Sequence, residues 1–63
     1  MKVRKLIKLL EDDGWTQVRQ RGSHRQFRHP VKSGNVTVAG KPGVDVPPGT
    51  LNAHLKQAGL LKE

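Results

Sequence analysis

The chain has 63 residues and a formal net charge of +7, because twelve Lys and Arg stand against five Asp and Glu. A chain of this length buries only a small core, so we expect one domain over residues 1–63. Cysteine is absent, which excludes disulfides and thiolate metal sites and fits a cytoplasmic protein. The sequence shows no apolar run that would serve as a signal peptide or a membrane span.

The positive charge is the strongest global signal. A domain this basic usually binds a polyanion, and nucleic acid is the commonest one. The alternative from charge alone is an ordinary solvated basic surface. Trp15 and Phe27 are the only aromatic residues, which argues against a protein that stacks single-stranded bases on aromatic platforms.

The first element is a helix. Its apolar residues follow the i, i+3, i+4, i+7 spacing of one buried stripe: Val3, Leu6, Ile7 and Leu10. Gly14 can adopt the left-handed conformation that ends a helix. Three acids, Glu11 to Asp13, precede that glycine, where negative charge opposes the helix dipole. They would offset the surrounding positive field or meet a basic partner, and the sequence does not choose between these roles.

Two strands follow the helix. Trp15 to Arg21 is predicted to be the first, with Val18 facing the interior, and Gly22-Ser23 forms a tight turn. His24 to His29 is the second strand. Side chains alternate across a strand, so burial of Phe27 places His24, Gln26 and Arg28 on the solvent face. Arg25 and His29 then lie near the rim of the core face.

The remaining elements complete a small α+β domain. Val36 to Val38 is predicted to be a short third strand with Thr37 outward, and residues 40–48 form a loop rich in Gly and Pro. A last helix runs from about Gly49 or Thr50 to Ala58, after which Leu60 and Leu61 fold back over the core. Two helices on one face of a three-stranded antiparallel sheet give a two-layer domain, the plan of the double-stranded-RNA-binding fold.

The predicted solvent face of the sheet carries three arginines, one histidine, two glutamines and no carboxylate. These residues are Gln17, Arg19, Arg21, His24, Gln26 and Arg28. Guanidinium groups bind phosphate in bidentate fashion, so we expect this face to bind a nucleic-acid backbone. Neighbouring cations favour the neutral imidazole of His24, which could then remove a proton from an RNA 2′-hydroxyl. From chemistry alone, a lone strand histidine is more often a bystander.

Other site chemistries find little support in the sequence. His24 and His29 are five positions apart, so they lie on opposite faces of one strand and do not form a metal site. Ser23 has no orienting acid nearby, and the glycines of GKPG lack the pattern of a phosphate-binding loop. We therefore expect no metal, no small-molecule cofactor and no membrane contact.

Several segments together resemble the HicA toxins of bacterial HicA–HicB toxin–antitoxin systems: LIKLLEDDGW, RGSHRQFRHP, NVTVAGKPGVDVPPGTL and LKQAGL. The resemblance covers nearly the whole chain. It implies an mRNA interferase with a double-stranded-RNA-binding-like fold, which a HicB antitoxin neutralises by covering the active face. It also implies that the histidine of Gly-Ser-His, here His24, is catalytic, and that Gly22 and Ser23 form the turn that positions it.

The chain departs from these relatives in two places. Their third strand often ends in Val-Pro with a histidine close behind, whereas here Val38 is followed by Ala39, Gly40 and Lys41. Lys41 is therefore a weaker candidate for binding RNA, beside Arg19, Arg21, Arg28 and Gln26. His54 replaces a residue that is often aliphatic, so we expect a partly buried helix residue, and His29 of the His-Pro pair is expected to be structural.

The combined prediction is a toxin that cleaves mRNA without a metal, with His24 as general base or acid. Two alternatives remain from the sequence. One is a non-catalytic RNA- or DNA-binding module of the same fold, and the other is a diverged toxin that only binds its antitoxin.

Overall fold

A computed structural model describes residues 1–61 and contains five elements, α1 (Val3–Asp12), β1 (Thr16–Arg21), β2 (His24–Arg28), β3 (Asn35–Val38) and α2 (Pro48–Gln57). The strands form one antiparallel sheet in the order β1-β2-β3. The predicted α-β-β-β-α fold is confirmed. The predicted domain extends to residue 63, and its last two residues lie outside the described range. Within residues 1–61, neither helix is long and apolar enough to cross a membrane.

One apolar cluster joins the helices to the sheet. Helix α1 buries Val3, Leu6 and Leu10, and the sheet contributes the fully buried Phe27, Val36 and Val38. The second helical segment adds Leu51 and Leu55, which are half-buried, and Ala58, which is buried. Both helices therefore pack on the sheet face that carries Phe27, as the apolar spacing predicts.

The loop between β3 and α2 is fixed by the start of the chain. The backbone N–H groups of Val3 and Arg4 donate to the carbonyls of Val44 and Pro42, at 2.9 and 3.1 Å. These amides belong to the first turn of α1, where a helix offers no internal acceptor. Val46 is buried in the same segment. The Gly- and Pro-rich loop thus caps α1 and closes one side of the core.

The end of the chain differs from the prediction. Gly59 has φ +71° and ends α2 as expected. Leu60 and Leu61 do not cover the core, since 38% and 37% of their surfaces remain exposed. Ala58 is the last residue of the buried cluster, and neither leucine belongs to that cluster or to the half-buried residues packed against it.

The orientation of Val18 also differs from the prediction. We predicted it to face the interior, but it is 53% exposed, and the buried aromatic of this region is Trp15 at 2%. The cause is the strand register, because Gln17 and not Val18 pairs with Phe27; a β-bulge follows, since Arg19 pairs with Gln26 and leaves Val18 as an extra residue. Gln17 consequently shares the core side with Phe27 and not the solvent face.

The same bulge determines the position of two arginines. Continuing the register of Gln17 without an extra residue would place Arg19 opposite Arg25 on the core side. With the bulge, Arg19 lies opposite Gln26, and Arg21 lies opposite His24. The sheet face turned away from the core is called the open face below, and it carries Arg19, Arg21, His24, Gln26 and Thr37.

A polar cluster of Asp13, Trp15, His29 and Lys32, called the Asp13 cluster, joins distant parts of the chain. His29 Nδ1 accepts hydrogen bonds from the backbone N–H groups of Val31 and Lys32, both at 3.0 Å. Its Nε2 therefore carries the proton and donates to the Asp13 carbonyl at 2.7 Å. The imidazole also meets the Trp15 ring edge-on at 5.2 Å.

The carboxylate of Asp13 completes this cluster. It accepts hydrogen bonds from Lys32 Nζ and from Trp15 Nε1, and Lys32 Nζ also donates to the Ala58 carbonyl at 3.0 Å. The hydrogen bond from Lys32 holds the pKa of Asp13 below its usual value. The cluster thereby links the C-terminal ends of α1, β2 and α2. The sequence left open whether the acids after α1 offset the positive charge of the chain or bind a basic partner. Asp13 pairs with Lys32 of its own chain.

Replacing His29 by Leu should lower the free energy of unfolding by about 1–3 kcal/mol, since two N–H groups and one carbonyl lose their partner. Urea denaturation of the purified protein measures this. The matched control is His54→Leu on α2, which should cost less than about 0.5 kcal/mol because the His54 side chain makes no hydrogen bond within residues 1–61. Equal losses in the two variants would contradict the structural role of His29.

Candidate nucleic-acid interface

Two rows of side chains cross the open face. Arg21 and His24 are direct cross-strand partners beside the β1–β2 turn, and Arg19, Gln26 and Thr37 form the next row across all three strands. Directly opposed residues have Cβ atoms about 4.5–5.5 Å apart. These five residues line a shallow cavity of ≈ 230 Å³. The open face therefore holds one concave site with His24 in its wall.

The turn before His24 is braced by side chains. Gly22 has φ +60° at the first of two turn positions, as in a type II′ hairpin, and Ser23 is the second. The Gln20 amide donates to the Gly22 carbonyl at 3.0 Å, and Gln17 donates to Gln20 Oε1 at 3.3 Å. This chain of hydrogen bonds holds the backbone two residues before His24. Gln20 was not predicted from the sequence, because no local pattern distinguishes a glutamine that folds back on a turn.

The cavity is electrically one-sided. Among the residues that the structure describes, its lining includes two arginines and no carboxylate. The acids that form ion pairs within residues 1–61 lie on the helix side or in its capping loop: Lys2–Asp45, Lys8–Asp12 and Lys32–Asp13. None of these pairs includes Arg19 or Arg21, so both guanidinium groups remain available for an anion.

Two predicted binding residues lie outside the cavity. Arg28 is on the same side of the sheet but farther along β2, between Thr16 and Asn35 in the neighbouring strands. Lys41 belongs to the loop that caps α1, where its carbonyl accepts the N–H of Val44 at 3.0 Å. The structure therefore brings together Arg19, Arg21, His24 and Gln26 and leaves Arg28 and Lys41 apart from them. Thr37 joins the site, and its outward position was already indicated by its place between Val36 and Val38.

The remaining candidates are held away from His24. Arg25 lies on the core side and donates to the Gly40 carbonyl at 3.2 Å. His29 belongs to the Asp13 cluster, and His54 is half-buried on α2. Burial lowers the pKa of His54, because desolvation disfavours the charged imidazole. In the part of the chain that the structure describes, no three His, Asp or Glu side chains are grouped as metal ligands.

This arrangement permits a limited set of reactions. Two arginines can bind the oxygens of a phosphodiester, and the exposed imidazole beside them can accept or donate a proton. Fold and site together define a small α+β domain with one histidine between arginines on the sheet face that its two helices do not cover.

The family model described as the HicA toxin of bacterial toxin–antitoxin systems matches residues 3–60, and the chain belongs to this family. The resemblance found in the sequence is thereby confirmed. No curated protein matches the chain. Membership in a toxin family of this kind implies an antitoxin partner.

The lowered pKa of His54 predicts a pH dependence of stability. The unfolded chain binds a proton at His54 near the ordinary value of about 6.5, whereas the folded chain binds it only at lower pH. The stability of the wild type should therefore be full above that value and fall as pH drops through the lower, folded-state pKa. Denaturant titrations between pH 8 and pH 5 should show a smaller decline in His54→Leu, and parallel declines would contradict the assignment.

Proposed function

We propose that this chain is an mRNA endoribonuclease, the toxin of a type II toxin–antitoxin system, which arrests translation and growth in the cytoplasm. The observation that carries the proposal is the pairing of His24 with Arg21 in a cavity without carboxylates. Family membership supports the toxin class, and the side chains that line the cavity support the cleavage of a phosphodiester. A HicB antitoxin would neutralise the toxin by covering the open face, where an acidic surface would meet Arg19 and Arg21, which form no ion pair within residues 1–61.

The reaction that fits these groups uses the substrate's own nucleophile. His24 removes the proton of a ribose 2′-hydroxyl, and the 2′-oxygen attacks the adjacent phosphorus. The bond from phosphorus to the 5′-oxygen breaks, and that oxygen takes a proton from the imidazolium or from water. The products are a 2′,3′-cyclic phosphate and a 5′-hydroxyl, and the pathway requires no metal.

The cationic side chains divide this work by position. Arg19 and Arg21 lie in the cavity wall, so they would bind the phosphate whose charge grows in the transition state. Arg28 is farther along the same face and would contact the neighbouring backbone. Lys41 is separated from the cavity and is the weakest of the proposed RNA contacts.

His24→Ala should lower the rate of RNA cleavage by about 10²–10⁴-fold, the usual contribution of a general acid or base. Inducible expression should show loss of growth arrest at equal protein level, and circular dichroism should show an intact fold, since His24 is exposed. The control is His54→Leu, a histidine outside the cavity, which should keep its cleavage activity.

Two results would contradict this proposal. Continued toxicity of His24→Ala at equal expression would remove His24 from the chemistry. Salt-dependent RNA binding by the wild-type protein without any cleaved product would favour the non-catalytic RNA-binding module instead.

A further inference from the structure

The cavity on the open face has two chemically different ends. Arg21 and His24 form a basic end near the turn, whereas the next row begins with Arg19 on β1 and ends in two neutral side chains, Gln26 on β2 and Thr37 on β3, called the neutral end below. We propose that Gln26 and Thr37 read the base of the nucleotide whose 2′-hydroxyl attacks, and so set the cleavage preference. This inference rests on the proposed function, because it assumes that His24 marks the site of cleavage.

The neutral end offers hydrogen-bonding groups that the protein does not use. Gln26 and Thr37 are directly opposed, with Arg19 as the third member of their row. Within residues 1–61, neither the Gln26 amide nor the Thr37 hydroxyl takes part in a side-chain hydrogen bond. Gln26 is half-buried on the central strand, between Arg19 and Thr37 of the neighbouring strands. Its amide is therefore free to bind a base that enters the cavity.

The spacing from His24 suits the base of the attacking nucleotide. Gln26 follows His24 by two residues on the same strand face, a rise of about 6.6–6.8 Å. The base and the 2′-hydroxyl are attached to the same ribose, so a nucleotide bound with its hydroxyl at His24 can extend its base toward Gln26. Unpaired RNA bases expose their hydrogen-bonding edges to such contacts.

The chemistry of the two side chains favours adenine. A glutamine amide offers one donor beside one acceptor, which pairs in bidentate fashion with the N6 amino group and N7 of adenine. Guanine is preferred by arginine, but in the proposed mechanism both arginines of this cavity bind the phosphate, Arg21 from beside His24 and Arg19 from its position opposite Gln26. The Thr37 hydroxyl can donate or accept and would complete the contact with the base.

The test uses short oligonucleotides that contain a single ribonucleotide in an otherwise 2′-deoxy chain, so that cleavage can occur at only one bond. Four such substrates differ only in the base of that ribonucleotide. The wild type should cleave the adenine substrate at least about 10-fold faster, in kcat/KM, than the poorest of the four, as one bidentate base contact allows. Gln26→Met and Thr37→Val should reduce this ratio to about twofold.

Thr16→Val is the matched control for Thr37→Val. Thr16 is an exposed strand threonine on the same side of the sheet, but it lies opposite Arg28 and outside the cavity. This control should keep the wild-type ratio. Equal cleavage of the four substrates by the wild type, or an unchanged ratio in both cavity variants, would overturn the base-reading role.

Failure of the proposed function gives a different result. If the wild type cleaves none of the four oligonucleotides, endoribonuclease activity at His24 is contradicted, and equilibrium affinities for the same molecules test the base contact alone. A preference for adenine that Thr37→Val removes and Thr16→Val keeps would support the contact. Equal affinities would overturn it.

Discussion

The burial of Phe27 in the centre of β2 is the constraint on which the site depends. Its side chain is fully buried between the helices and the neighbouring strands, opposite Gln17 and Val36. Because side chains alternate along a strand, this burial commits His24 and Gln26 to the face that no helix covers. The bulge at Val18 then brings Arg19 and Arg21 to that same face. The position of His24 thus follows from core packing, and the position of the two arginines beside it follows from one irregularity of the sheet.

The division of charge between the two layers follows the same arrangement. Asp45, Asp12 and Asp13 pair with Lys2, Lys8 and Lys32, and none of these acids lines the cavity of the open face. The ion pair between Asp13 and Lys32 belongs to the Asp13 cluster, which links the C-terminal ends of α1, β2 and α2. The open face keeps arginines without carboxylate neighbours in its cavity, which is the electrostatic condition for binding a phosphodiester.

Local patterns were sufficient for most of the fold. Helical spacing identified α1, alternation around Phe27 placed His24 and Gln26 on the solvent side, and the valines on either side of Thr37 placed it there too. The bulge could not be predicted, because the register depends on two strands together, and Val18 alone suggested an inward residue. The contacts of Lys32 with Asp13 and Ala58 join residues that are far apart in sequence, so no local signal marks them. The separation of Lys41 from the cavity likewise depends on how the loop folds against α1.

In the proposed function, the open face cleaves RNA through the substrate's own 2′-hydroxyl. The most direct test of this cleavage is the chemistry of the product ends after purified protein cuts an all-ribose RNA in the presence of a metal chelator. Attack by the 2′-oxygen predicts fragments that end in a 2′,3′-cyclic phosphate and begin with a 5′-hydroxyl. Fragments with 3′-hydroxyl and 5′-phosphate ends would show attack by water and would contradict the account.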